Sequence, residues 1–129
     1  MSEKRLFGIR GATFCENSKD SIIKYTGDLC RMIFAENKLS AEDIVSIQFT
    51  ITDDLDELNP ATALRRNSDL GIDVAAVPLF CSQEPRIAGM PPKVIRVLVT
   101  TYMPFDAKVH AVYINGAQML RPDLGESGK

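Results

Sequence analysis

Val77-Pro78-Leu79-Phe80-Cys81-Ser82-Gln83-Glu84 opens the stretch that decides the fold, and Val94-Ile95-Arg96-Val97-Leu98-Val99 closes it. The first half begins apolar and turns polar at Cys81. A loop rich in Gly and Pro (Pro85, Gly89, Pro91, Pro92) separates the halves. The second half is strand-like and apolar everywhere except at Arg96. Arg is rarely buried without a partner, because an unpaired charge away from water costs several kcal/mol. Arg96 is therefore expected to face a carboxylate or a ligand. Glu84, at the other end of the loop, is the nearest candidate in sequence, and such a pair implies a pocket.

Outward from this stretch, the chain alternates strand and helix signals. Arg5 to Arg10 predicts a short first strand, with Leu6, Gly8 and Arg10 on one face and Phe7 and Ile9 on the other. Gly11-Ala12 then lets the backbone turn, or pass close to a neighbour. Asn17 or Ser18 caps a long helix running to about Lys38. Its apolar stripe is Ile22, Thr26, Leu29, Ile33 and Phe34, with Ile23 and Cys30 beside it. Ser40-Ala41-Glu42-Asp43 has the form of a small capping box around a single helical turn. Val45 to Thr52 alternates, with Val45, Ile47, Phe49 and Ile51 expected inside. Asn59-Pro60 starts a second helix, Pro at its first position, ending near Gly71. Asp106 to Val109 is a turn or short helix, and Val112-Tyr113-Ile114 a last strand.

This pattern predicts an α+β fold: a mixed five-stranded sheet with helices on one face. Residues 1–119 form a single domain, and 120–129 a mobile C-terminal tail. The helix-free face and the sheet edges need cover, which oligomerisation supplies in a chain this small.

The bulk properties remove several function classes. At 129 residues, with 45% hydrophobic and 25% charged residues, the chain fits one ordinary globular core. A net charge of -2 gives no reason to expect nucleic acid or an anionic membrane as partner. Cys15, Cys30 and Cys81 are too scattered for a disulfide framework or a zinc site, and a lone His110 makes a His-based metal site improbable. No apolar run approaches the ~20 residues of a membrane span. The N-terminus leads straight into the first strand with no signal-peptide pattern, so a cytoplasmic location is expected.

The chemistry-bearing residues are mostly Arg. Arg10, Arg65, Arg96 and Arg121 lie at element ends or in apolar runs, and Arg offers planar, bidentate recognition of carboxylates. Several of them converging in an acidic protein point to a polyanionic small molecule. Glu84 can serve as general base, as ion-pair partner of Arg96 or as acceptor for a substrate hydroxyl, and a plain surface Glu is an equal alternative. Cys81 as a nucleophile needs a base and an orienter. Only His110 is available as a base, so a half-buried structural Cys is the better reading. Tyr113 faces away from Val112 and Ile114, as a core aromatic or a ligand contact. A conventional hydrolase or metalloenzyme is poorly supported.

Taken together, Gly8-Ile9-Arg10-Gly11-Ala12-Thr13, Pro60-Ala61 with Arg65, Val77-Pro78 with Cys81 and Gln83-Glu84, Ile95-Arg96-Val97, and Val112-Tyr113 with Leu120-Arg121-Pro122-Asp123-Leu124 resemble the monofunctional, homotrimeric chorismate mutases. The match runs over nearly the whole chain in the same order. The resemblance implies a trimer with a barrel-like core of packed sheets, active sites at subunit interfaces, and cofactor-free rearrangement of chorismate to prephenate. It implies that Arg96 meets the ether oxygen and one carboxylate, and that Arg10 binds a carboxylate. Glu84 and the Cys81 backbone would hold the ring hydroxyl. Tyr113 would sit near the side-chain carboxylate. Arg65 and Arg121 would add positive potential at the mouth, and Ala61 and Leu120 would be further substrate contacts. Two positions depart from the pattern: Asn59 stands where an aromatic is usual, and Thr62 where a Lys is usual. Two rivals share the layout. A trimeric imine deaminase would want a carboxylate on the last strand, where Val112 to Met119 offers only Asn115 and Gln118. A non-catalytic trimer that binds an anionic metabolite would have a similar sequence.

Overall fold

A computed structural model describes residues 3–124. Five strands form one sheet: β1 (Lys4–Phe14), β2 (Ile44–Ile51), β3 (Leu79–Gln83), β4 (Val94–Pro104) and β5 (Val112–Ile114). Their order is β3-β2-β4-β1-β5. The central strand β4 runs antiparallel to both β1 and β2, while β3 is parallel to β2 and β5 is parallel to β1. Helices α1 (Lys19–Glu36) and α2 (Pro60–Arg65) pack on one another and on the same face of the sheet. The expected α+β layout, with a mixed five-stranded sheet and helices on one face, is what the chain adopts.

Local chemistry explains the element ends. Ser18 accepts a hydrogen bond from the Ser21 backbone N–H at 3.1 Å and so caps α1. Asn59 does the same for α2, accepting from the Ala61 N–H at 2.8 Å, and Pro60 fills the first helical position. On the helix side, Ile9, Ile47, Phe49, Ile95 and Val99 lie in the core with Ile22, Leu29, Ile33 and Leu64. Alternation sends Leu6, Gly8, Arg10, Gln48, Thr50, Arg96, Leu98 and Tyr102 to the opposite, open face.

Several boundaries differ from the sequence expectation. β1 does not stop at Arg10 but continues through Gly11-Ala12 to Phe14. Gly11 is there for close approach rather than a turn. A Cβ at this position would lie 2.6 Å from the Val112 carbonyl oxygen and 3.1 Å from Leu29 and Ile33 of α1. Val45 points outward rather than inward. The β2–β4 register slips between Ile44 and Ser46, so Ile44 takes the inner position. Helix α2 ends at Arg65, well before Gly71. The turn at Ala41–Asp43 forms, but the Ser40 hydroxyl bonds the Asp43 carboxylate and not a backbone N–H. Of the segment 120–129 expected to be mobile, residues 125–129 lie outside the described residues.

Candidate active site

The open face carries one row of residues running across all five strands. Ser82 on β3 pairs with Thr50 on β2, Thr50 with Arg96 on β4, Arg96 with Ala12 on β1, and Ala12 with Tyr113 on β5. Strands are ~4.8 Å apart, so Arg96 and Tyr113 stand about 10 Å from one another with only the small Ala12 between them. Arg10 lies two residues from Ala12 on the same face, opposite Leu98.

Arg96 and Glu84 meet. The Arg96 Nε lies 2.8 Å from Glu84 Oε2, with the side chains 30% and 16% exposed. The apolar flanks of Arg96 thus mark a paired charge, as its place in β4 implied. The same Glu84 oxygen accepts a hydrogen bond from the Thr50 hydroxyl at 2.5 Å. The Glu84 backbone N–H donates to the Ile51 carbonyl at 2.7 Å, carrying the β3 pairing one residue beyond the strand. Glu84 is therefore held by backbone and side chain alike. The closest approach is through Nε, and among the described residues the amino groups of the Arg96 fork make no hydrogen bond.

Tyr113 is positioned from behind. The buried Asn37, at the end of α1, donates from Nδ2 to the His110 carbonyl at 2.9 Å and accepts from the His110 N–H at 2.8 Å. This clamp fixes the approach to β5. Asn115 and Gly116 then adopt left-handed conformations (φ 52° and 89°), and Asn115 Nδ2 donates to the Phe14 carbonyl at 2.7 Å. The turn sends the following residues back across the open face, where Leu120 and Leu124 pack against Ala12, Ala111, Tyr113 and Ala117. Burial pushes the Tyr113 phenol above its ordinary pKa, while the guanidiniums of Arg10, Arg121 and Arg96 oppose the shift. The Arg121 guanidinium pairs in a fork with Asp123 (Nε to Oδ1 3.0 Å, Nη2 to Oδ2 2.7 Å) and holds that carboxyl below the usual carboxylate range.

Other expected site residues lie elsewhere. The Cys81 side chain turns toward the helix-side core, opposite Phe49, so only its backbone borders the row. Burial raises its thiol pKa, which disfavours the thiolate a nucleophile requires. Ala61 is 5% exposed and sits in the helix-side core. Arg65 is the last residue of α2, beside a groove formed with residues 67–75. Within one chain, neither joins the Arg96 row. Asn59 is committed to capping α2, which gives this position a structural task in place of an aromatic wall. A second groove, of about 350 Å³, opens beside Glu84. Asp53, Asp54 and Glu84 line it together with Arg86, which pairs with Asp53.

Thr50 was legible only as an outward-facing strand residue. Its place beside Arg96 follows from the antiparallel register, which one strand's alternation does not reveal. The Asn115-Gly116 pair is a turn signature that would have located the fold-back of the tail.

Fold and site together define a class: an α+β protein whose open sheet face carries Arg, Glu and Tyr along one row that crosses a mixed five-stranded sheet. The chorismate mutase type I family model matches residues 6–124. The chain is 38% identical over 120 residues to the chorismate mutase AroH of Bacillus subtilis (strain 168), covering 91% of each chain. It is 39% identical over 121 residues to the chorismate mutase AroH of Thermus thermophilus, covering 91% of this chain and 94% of that one. Among solved structures it is similar to a chorismate mutase from Clostridium thermocellum, with a TM-score of 0.76 and 35% identity over 88% of this chain and 98% of the other. The chain belongs to the chorismate mutase type I family.

Proposed function

We propose that the row around Arg96 rearranges chorismate to prephenate at sites completed between three copies of the chain. Chorismate mutase activity is that of the family, and this chain shares it. The observation that supports the mechanistic reading is the Arg96 guanidinium, held on the central strand by Glu84, on the same sheet face as Arg10 and Tyr113.

The reaction is an intramolecular pericyclic shift that needs no acid, base or nucleophile. Two requirements remain. A flexible dianion must be held in its compact conformer, which places the bond-forming carbons within reach. Negative charge accumulating on the breaking ether oxygen must meet fixed positive charge. Arg10 and Arg121 supply carboxylate partners for the first, and the free amino groups of Arg96 supply the second. Glu84 receives the ring hydroxyl, and the protonated Tyr113 donates toward the side-chain carboxylate. A millionfold acceleration needs only about 8 kcal/mol, which conformer selection and one oriented guanidinium can provide.

Trimer assembly explains two features of the single chain. Leu6, Phe80, Leu98 and Tyr102 are 41–63% exposed on the open face, an apolar surface that a second sheet would cover. Arg65 lies away from the Arg96 row, so its substrate contact would come from a neighbouring copy, whereas Ala61 is buried in its own core. Among the described residues all three cysteines are free and no helix is long and apolar enough to cross a membrane, which fits a reducing, cytoplasmic setting.

The test is chorismate consumption followed by ultraviolet absorbance, with prephenate as the product and light scattering on the same sample. The expected result is turnover by a species of three chains. Turnover by a monomer would remove the interface sites. A folded trimer that binds chorismate without turnover would be an anionic-metabolite-binding protein instead.

A further inference from the structure

We infer that Thr50 is a positioning residue that orients the Glu84 carboxylate toward the substrate's ring hydroxyl. The inference rests on the function proposed above and goes beyond it by assigning a role to a residue outside the resemblance.

A carboxylate on a side chain with three torsions presents either oxygen to a ligand unless something fixes it. Here one oxygen is fixed twice. Glu84 Oε2 accepts the Thr50 hydroxyl at 2.5 Å and lies 2.8 Å from the Arg96 Nε. The first distance is that of a short, charge-assisted O–H···O bond. Oε1 is then the oxygen left to receive a hydroxyl from the open face. The main-chain bond from Glu84 to Ile51 pins the base of the side chain, and the Thr50 bond pins its tip.

Thr50 suits this task better than most polar residues. It is the direct cross-strand partner of Arg96, so its hydroxyl lies beside the guanidinium. Its β-branch restricts χ1, so the donor direction is set by the strand. Its hydroxyl also satisfies part of the acceptor capacity of a carboxylate only 16% exposed. Without that donor, the Glu84 carboxylate would be held through Arg96 alone. The two charged groups could then rotate together, and the ring hydroxyl would meet a carboxylate in several orientations.

The experiment uses the full-length protein and chorismate as substrate. Thr50→Val keeps the shape and removes the donor, while Thr50→Ser keeps the donor and removes a methyl group. Thr50→Ala is a second donor-less variant should the valine protein fold poorly. The expected result is a ~10- to 100-fold fall in kcat/KM for the valine and alanine proteins, the range for one hydrogen bond to a charged group. Most of it should appear as a higher KM, because the hydroxyl contact is present in ground and transition states alike. The serine protein should recover to within about threefold of wild type. The decisive arm is a double-mutant cycle with Glu84→Ala, which removes the acceptor, so that Thr50→Val should have little further effect, since its role is exercised through Glu84.

Wild-type kinetics in a Thr50→Val protein of normal melting temperature would overturn the inference alone. So would a valine effect that persists undiminished in the Glu84→Ala background. A wild-type protein that makes no prephenate would instead overturn the functional reading, and this role with it.

Discussion

On the helix side of the sheet, Ile9, Ile47, Phe49, Ile95 and Val99 are at most 1% exposed, while on the open side Leu6, Phe80, Leu98 and Tyr102 are 41–63% exposed. Both sets come from the same strands by simple alternation. The helix side is completed by the chain's own α1 and α2, and its residues are interchangeable in chemistry though not in shape. The open side mixes apolar residues with Arg10, Arg96, Thr50 and Tyr113, each in a position where polar groups need partners. The difference teaches where to look for function in such a fold. A charge on the face that the chain covers with its own helices would be a burden, whereas a charge on the face left open can be completed by a ligand or another copy.

The comparison predicts that the two faces fail differently. Phe49→Ala, on the helix side, removes a fully buried ring and should lower stability by about 3–5 kcal/mol. Urea unfolding should show this as a lower midpoint, while turnover per folded molecule stays near normal. A loss of kcat at unchanged stability would break the division between the faces. Arg96→Ala, on the open side, should do the reverse. Its kcat should fall by the ~10²–10³ that follows loss of one transition-state donor. Arg96→Lys should restore part of this, since charge returns without the fork. Replacing Arg96 by citrulline keeps shape and hydrogen bonds and removes only charge. Near-normal kcat in that protein would leave conformer selection alone to explain the rate.

Arg10 sharpens the distinction within the open face. A carboxylate has the same charge in the bound substrate and in the transition state, so its partner contributes mainly to binding. Arg10→Ala should therefore raise KM by ~10- to 100-fold, as for one lost contact between charged groups, with a much smaller change in kcat. Steady-state kinetics on the Arg10 and Arg96 variants side by side would separate the two roles. Equal falls in kcat for both would show that the guanidiniums act as one unit.

The sheet was legible because its signals are local. Alternation in β2, the apolar run around Arg96 in β4, and Pro60 after Asn59 each specify an element without reference to the rest of the chain. The Arg96–Glu84 pair was legible for an energetic reason, since a charge inside an apolar run demands a partner. What was not legible depends on other strands. The continuation of β1 through Gly11 is decided by α1 and by the Val112 carbonyl, and the outward turn of Val45 by a register slip against β4. Thr50 joins the site through its pairing with Arg96, and the fold-back of Leu120 and Leu124 through the Asn115-Gly116 turn. These are properties of pairs of strands, which no single stretch contains.

Cys81 is the smallest expected effect and the strictest check on the two faces, because it sits on a strand edge between them. Its sequence neighbours Phe80 and Ser82 point to the open face, while its own side chain packs toward the helix-side core. The backbone of Cys81 can therefore border the substrate although its sulfur cannot. Burial raises the thiol pKa above its ordinary value, so the group stays protonated through the neutral range and offers no thiolate. Cys81→Ala removes a half-buried sulfur and should cost about 1 kcal/mol of stability or less. The kcat/KM of the alanine protein should stay within about threefold of wild type, since the backbone atoms remain in place. Its pH–rate profile should also keep its alkaline side, as no titration of the thiol enters the reaction. A fall beyond ~10²-fold, the low end for loss of a general acid or base, would mean that the sulfur reaches the reacting atoms. That outcome would place a chemically active group on the helix side and end the division of labour between the faces.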